Sequence, residues 1–184
     1  MPEHHKLTAP LHGRPLIRHS VENAVGSRLR PVVVVTGHEA AKVRAVLDGL
    51  AVCFIHNAEF AGGLSTSLRA GIAALPKGLA GVVVALGDMP AVQPALLDRL
   101  AEAIATGSSA VAVPVINGRR GNPVAWSSRL FPEMLRLTGD VGARHLIDAY
   151  RDQLVEIPIE DEGVLLDVDT REQLDELERR ARET

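Results

Sequence analysis

Val82-Val83-Val84-Ala85-Leu86-Gly87-Asp88-Met89-Pro90 is an apolar, largely β-branched run that stops at a glycine, a carboxylate and a proline. Such a run suits a strand buried on both faces, the habit of parallel sheets. Gly87 lets the backbone turn tightly, and Pro90 keeps the strand from continuing. Asp88 is thereby expected at the strand's carboxyl edge.

The same pattern recurs on either side. Pro31 leads into Val32 to Val35, followed by Thr36-Gly37-His38. Glu39 to Leu50 carries Val43, Val46, Leu47 and Leu50 at helical spacing. Val52 to His56 reads as a strand, and Ser65 to Leu75 as a helix opened by a serine cap. Pro94 starts a helix to Ala105, with proline in the first turn where its missing N–H costs little. Ala110 to Ile116, Asn122 to Trp126, Leu154 to Ile159 and Val164 to Val168 read as strands. His145 to Tyr150 reads as an apolar helix, and Arg171 to Arg182 as a charged one. Strand–helix alternation predicts a single α/β domain over 1–184: a mainly parallel, doubly wound sheet in three layers. Ligands in such sheets bind outside the carboxyl ends of the strands.

Composition narrows the function. The chain has 184 residues, 46% hydrophobic and 23% charged, the balance of an ordinary globular domain. A net charge of −3 gives no reason to expect a nucleic-acid surface. No apolar run approaches the roughly 20 residues of a membrane span, and Met1 to Lys6 has no signal-peptide core. The single cysteine, Cys53, cannot form a disulfide within the chain. That suits a reducing, cytoplasmic setting, and its apolar surroundings predict a buried side chain. The histidines show no metal-ligand spacing, and no Gly-x-Ser-x-Gly elbow or Gly-x-Gly-x-x-Gly loop is present. A hydrolase triad and a nicotinamide-dependent dehydrogenase are therefore unsupported.

Several constellations remain. Asp88 is a hard oxygen ligand suited to Mg²⁺ shared with a phosphate, though a turn aspartate bonding local N–H groups looks the same in sequence. Gly62-Gly63-Leu64-Ser65-Thr66-Ser67 places glycines before hydroxyl residues at a helix start, which suits an anion or a polar nucleotide edge, or a simple cap. Gly118-Arg119-Arg120-Gly121-Asn122-Pro123 offers arginines that either clamp a phosphate or lie solvated. Gly139-Asp140-Val141-Gly142-Ala143-Arg144 precedes an apolar helix, with Asp140 as its expected N-cap and Arg144 facing a carboxylate or an anionic substrate. Alternation sends Asp167 and Asp169 to one side of their strand, where either could converge with Asp88. As a bare pattern, Asp169 equally caps the last helix.

Taken in order, Gly-Leu-Ser-x-Ser-Leu, Leu-Gly-Asp-Met-Pro, Arg-Gly-Asn-Pro-Val, Gly-Asp-x-Gly-Ala-Arg and Asp-Val-Asp-Thr resemble the MobA-like nucleotidyltransferases, and within them the molybdenum cofactor cytidylyltransferases. Lys6-Leu7-Thr8-Ala9-Pro10-Leu11-His12-Gly13-Arg14-Pro15-Leu16-Ile17 resembles the segment after that family's nucleotide loop. The resemblance implies a Rossmann-like nucleotidyltransferase fold and Mg²⁺-dependent transfer of CMP from CTP to the phosphate of a molybdopterin cofactor, releasing pyrophosphate. It implies Asp88 and Asp169 as Mg²⁺ ligands, with Asp167 a further partner, and Lys6 on the triphosphate. Gly63, Ser65, Ser67 and Gly87 would line the nucleotide site, and Arg120, Asn122 and Arg144 the acceptor site. A molybdoenzyme or its chaperone is the implied protein partner.

The family opens with a central strand and a loop of the form Leu-Ala-Ala-Gly-x-Ser-x-Arg-Met-Gly-x-x-Lys. This sequence reaches Lys6 without them. The expectation is a chain that starts late relative to its gene, with a gap mid-sheet and open strand edges beside it. The alternatives are transfer of GMP, a sugar-phosphate acceptor, and a non-catalytic protein that holds the pterin cofactor.

Overall fold

A short hairpin, β1 (Pro10–Leu11) against β2 (Arg14–Pro15), leads the chain into helix α1 (Leu16–Gly26). His12 and Gly13, between the strands, have φ of 50° and 75°, as a two-residue hairpin turn requires. The computed structural model describes residues 6–140, 142–160 and 173. The expected strand Val164–Val168 and the final helix lie outside the described residues. So do Asp167 and Asp169.

Helix α1 went unread in the sequence. Its buried face is Leu16, Ile17 and Val21, at helical spacing. Strand β3 (Val33–Thr36) follows, then α2 (Ala40–Val46) and β4 (Cys53–His56), which runs parallel to β3. The expected helix Glu39–Leu50 is shorter than predicted: Glu39 sits at φ 51° before its first turn, and the chain leaves the helix at Leu47, ahead of Gly49 at φ 80°. Helix α3 (Leu64–Ala73) leads to β5 (Gly81–Val84), and α4 (Pro94–Ala105) to β6 (Val111–Ile116). Strands β7 (Arg119–Arg120) and β8 (Val124–Ser127) turn back antiparallel to β6. Helices α5 (Phe131–Met134) and α6 (Arg144–Ala149) precede β9 (Leu154–Pro158), which runs parallel to β6. The larger sheet has the order β5-β8-β6, with β7 and β9 both on β6. Strands β7 and β8 are thus antiparallel to their neighbours, while β3–β4 and β6–β9 pair in parallel.

Period-2 alternation divides this sheet into unlike faces. Val111, Val113, Val124 and Trp126 join Ile72, Leu130, Met134 and Leu146 on the side of α3, α5 and α6. Ala112 and Ala125 turn to the other face, against Leu96, Leu97, Leu100 and Ile104 of α4. Alanines on that face let α4 approach closely. Leu100 is fully buried there, so truncation to alanine should cost about 2–5 kcal/mol.

Cys53 is exposed, not buried as its apolar neighbours suggested. It opens the outer strand of the β3–β4 pair and points opposite to Phe54, whose ring the Arg44 guanidinium covers at 4.8 Å.

Among the described residues, β3 pairs only with β4 and β5 only with β8. Between them lies a cleft of about 960 Å³. Cys53 N–H donates to the Val32 carbonyl and Asn57 N–H to that of Thr36, so even-numbered residues of β3 face β4. The backbone groups of Val33 and Val35 therefore face the cleft. Ser128 N–H donates to the Ala80 carbonyl, which by the same alternation turns Gly81 and Val83 to the cleft from the other side. No described helix is long and apolar enough to cross a membrane.

Candidate active site

Asp88 stands in the turn after β5, as the sequence predicts. Helix α1 holds that turn. Ser20 Oγ donates to the Gly87 carbonyl at 3.0 Å, and Asn23 Nδ2 to the Pro90 carbonyl at 2.9 Å. A Cβ on Gly87 would lie 3.4 Å from the Ile17 side chain and 3.5 Å from Leu7. Neither Ser20 nor Asn23 was singled out in the sequence. Their signal was the apolar period of α1, which puts both on a face beside buried Ile17 and Val21.

Lys6, in a 3₁₀ turn over Lys6–Thr8, places Nζ 2.6 Å from Asp88 Oδ2. The Lys6 and Asp88 side chains are 30% and 21% exposed, so the pair is neither fully wet nor sealed. Asp88 Oδ1 is buried and has no hydrogen-bond partner among the described residues. A buried, unpartnered carboxylate oxygen is costly unless something outside the chain completes it. Among the described residues no His, Cys, Asp and Glu side chains cluster as a metal site.

The start of α3 is built differently from expectation. Its N-cap is Gly63, at φ 96°, and Ser65 lies inside the first turn instead of capping it. Ser65 is 1% exposed, and its Oγ has no hydrogen-bond partner among the described residues. Asp140 does not cap the helix that follows it, since α6 has no side-chain cap. Its Oδ1 instead accepts from the Leu64 N–H at 3.0 Å, and the Gly139 carbonyl accepts from Ser65 N–H at 3.2 Å. The N–H groups read as an anion cradle are thus occupied by a carboxylate and a carbonyl from a distant loop.

Asn57, at the carboxyl end of β4, escaped the sequence reading. It is buried, and its Nδ2 donates to Thr66 Oγ1 at 2.8 Å and Ser67 Oγ at 3.0 Å. Thr66 Oγ1 in turn lies 2.8 Å from the Gly63 carbonyl and 3.0 Å from that of Glu59. The network orients the hydroxyl of Ser67, which lines the cleft. An asparagine directly after a strand was its only sequence signal.

Ser67, Gly87, Arg120, Asn122 and Arg144 line the same cleft, as does Arg119. Their chemical states differ. Arg120 Nε donates to Glu156 Oε1 at 2.8 Å, and its guanidinium lies 3.7 Å from Asp148. Arg144 begins α6 as an exposed residue. The fold therefore brings Ser67, Gly87, Arg120, Asn122 and Arg144 to one cavity that runs between β3 and β5, whereas Lys6, Gly63, Ser65 and Asp88 are not among its lining residues. It also separates an arginine engaged by carboxylates from an exposed one.

A family model, the MobA-like NTP transferase domain, matches residues 1–154. The chain is 37% identical over 110 residues to the bifunctional protein GlmU of Kineococcus radiotolerans, covering 59% of this chain and 22% of that protein. It thus spans well under half the length of that relative. It is 32% identical over 189 residues to the purine catabolism protein PucB of Bacillus subtilis, covering 95% of this chain and 88% of that one. To the 3-deoxy-manno-octulosonate cytidylyltransferase of Neisseria gonorrhoeae it is 32% identical over 99 residues, 54% of this chain and 39% of that one. A solved nucleotidyl transferase from Methanothermobacter, Mth528, superimposes with a TM-score of 0.83 at 28% identity, covering 98% and 87% of the two chains. Rv0371c of Mycobacterium tuberculosis, solved in complex with manganese, does so with a TM-score of 0.80 at 27% identity, covering 96% and 93%. With an α/β frame, a carboxylate at the carboxyl end of β5 and a family match over most of its length, the chain belongs to the MobA-like NTP transferase family.

Proposed function

We propose that this chain is a nucleotidyltransferase that moves CMP from CTP to the terminal phosphate of a molybdopterin cofactor and releases pyrophosphate. The observation that carries the reading is Asp88, whose Oδ2 meets Lys6 while its buried Oδ1 has no partner among the described residues, beside the cleft that Ser67, Asn122 and Arg144 line. The motif order of the chain supports the cytidylyltransferase branch.

A hard divalent cation fits this carboxylate, since it supplies the positive partner that Oδ1 lacks. Asp88 would hold Mg²⁺ together with Asp169, and Asp167 would stand beside them. When bound, Mg²⁺ would neutralise negative charge on the oxygens of the attacked phosphate and of the leaving pyrophosphate. Lys6 would donate from Nζ to oxygens of the triphosphate. Ser67 would present its hydroxyl to the base and sugar, with Gly87 at the cleft edge, whereas Ser65 is buried behind it and Gly63 makes room for the Gly139–Asp140 loop. Arg144 and Asn122 would hold the acceptor phosphate. Arg120 would stiffen the cleft wall through Glu156 and join the acceptor only by leaving that partner.

An acceptor phosphate oxygen bonds to the α-phosphorus as the bond from that phosphorus to the oxygen bridging to the β-phosphate breaks in line. Pyrophosphate carries the electron pair away. The protein's work is to hold anions together and aligned. Incubation with CTP or GTP, Mg²⁺ and the pterin, followed by pyrophosphate release, tests the reading. CTP-dependent release is expected. GTP-dependent release, release with a sugar phosphate but not the pterin, or pterin binding without release would each overturn it. A molybdoenzyme or its chaperone would receive the product.

A further inference from the structure

We propose that Asp140 is a positioning residue: it pins its own loop to the first turn of α3 and so sets where Arg144 stands at the cleft. The inference rests on the reading of Arg144 as the acceptor-phosphate contact. Residues 64 and 140 are far apart in sequence, yet Leu64 N–H donates to Asp140 Oδ1 at 3.0 Å and Ser65 N–H to the Gly139 carbonyl at 3.2 Å. A carboxylate at the amino end of a ten-residue helix also meets the positive end of its dipole.

Steric fit tightens the same contact. A Cβ on Gly63 would lie 2.9 Å from the Gly139 carbonyl oxygen and 3.0 Å from Asp140 Oδ1, so only glycine lets the loop sit this close. A Cβ on Gly142 would lie 3.2 Å from Leu64 Cδ2. Ala143 and Leu146 then bury in the core cluster beside Leu68 of α3, with Arg144 between them on the open side. Among the described residues Arg144 has no ion-pair partner, whereas Arg120 is held by Glu156. What orders Arg144 is therefore its backbone, and the α3 contact orders that backbone. The same carboxylate fills the helix amino end and keeps a competing phosphate from settling there.

The test compares the 184-residue chain with Asp140→Asn, Asp140→Ala, Gly63→Ala and Arg144→Gln. Amide signals of Leu64 and Ser65, the Nε–H signal of Arg144, and titration with inorganic phosphate are followed by NMR. Thermal unfolding confirms that each variant is folded. Asp140→Ala should speed exchange of the Leu64 amide, shift the Arg144 signal and weaken phosphate binding at Arg144 about fivefold, the effect of losing one hydrogen bond. Asp140→Asn keeps the acceptor oxygen and should stay within about twofold of the native chain, on the same reasoning. Gly63→Ala should shift the Arg144 signal as Asp140→Ala does. An Arg144 signal and phosphate affinity unchanged in Asp140→Ala would overturn the proposal. Phosphate binding unchanged in Arg144→Gln would overturn the acceptor reading instead, and the Arg144 signal in Asp140→Ala would still decide the positioning role.

Discussion

Lys6 Nζ lies 2.6 Å from Asp88 Oδ2, while the other oxygen of the same carboxylate is buried with no partner among the described residues. One carboxylate thus has a satisfied and an orphaned oxygen, separated by a bond angle. An exposed turn aspartate would have both in water. A fully structural one would have both hydrogen-bonded.

Asp88→Asn keeps the shape and Lys6 as a neighbour but removes the charge. Transfer should fall at least about 100-fold, the scale seen when a group stabilising transition-state charge is lost. Mn²⁺ binding, read by electron paramagnetic resonance, should weaken in parallel, with the melting temperature near native. Near-normal turnover with Mg²⁺ would remove Asp88 from the metal site.

Arg144→Gln and Arg120→Gln should separate. The first should raise KM for the acceptor about tenfold with little change in KM for CTP, since a charge-assisted hydrogen bond to phosphate is lost. The second breaks an exposed pair with Glu156 and should cost less than about 1 kcal/mol of stability. Steady-state kinetics and urea unfolding distinguish the outcomes. Equal KM effects would place both arginines on the acceptor.

Ser20→Ala and Asn23→Ala each release a carbonyl of the Asp88 turn. Each should cost about 0.5–1.5 kcal/mol of stability. Mn²⁺ affinity should fall as well, because the turn no longer has one geometry. Unchanged Mn²⁺ affinity would show that Met89, 2% exposed, anchors the turn alone.

Hydrogen exchange should alternate along the strands beside the cleft. Val33, Val35 and Val83 turn their amides to the cleft, while Val34 and Val82 turn theirs to a paired strand. The first set should exchange faster by roughly a hundredfold or more, the spread expected between open and laddered amides. Uniform protection would mean that the cleft is filled.

Asp98 predicts an acid limb of stability. The Arg28 backbone N–H donates to it at 2.8 Å and the guanidinium at 3.0 Å, and these contacts hold its carboxyl below the usual range. A depressed folded pKa stabilises above the unfolded value of about 3.9 and loses that stability as pH falls through the folded value. Asp98→Asn should therefore lower Tm at neutral pH and flatten its fall below about pH 4. Calorimetry across that range checks it, and parallel curves would refute it.

Much of the frame was legible because it rests on local rules. Pro94–Ala105 ran as read, since its first-turn proline and its leucine spacing agree with its burial. Asp88 was legible because a strand ending in Gly-Asp-x-Pro leaves few places for the carboxylate. Helix α1 was missed because polar residues interrupt its apolar face, and those residues, Ser20 and Asn23, turned out to hold the turn. Cys53 was misread because sequence does not tell an edge strand from a central one. Asp140 was assigned to its nearest helix because sequence proximity is the only guide to a cap when the fold is unknown.

Alternation of strands and helices, the carboxyl-edge position of Asp88 and the family were determined by the sequence alone, through periodicity, turn chemistry and motif order. Tertiary structure alone decided that Lys6 meets Asp88, that α1 props the turn, that Asp140 caps α3, and that Glu156 engages Arg120 while Arg144 stays exposed. The reason is range. Backbone preferences act over a few residues, whereas charges and hydrogen bonds choose partners by distance in space, which exists only once the chain has folded.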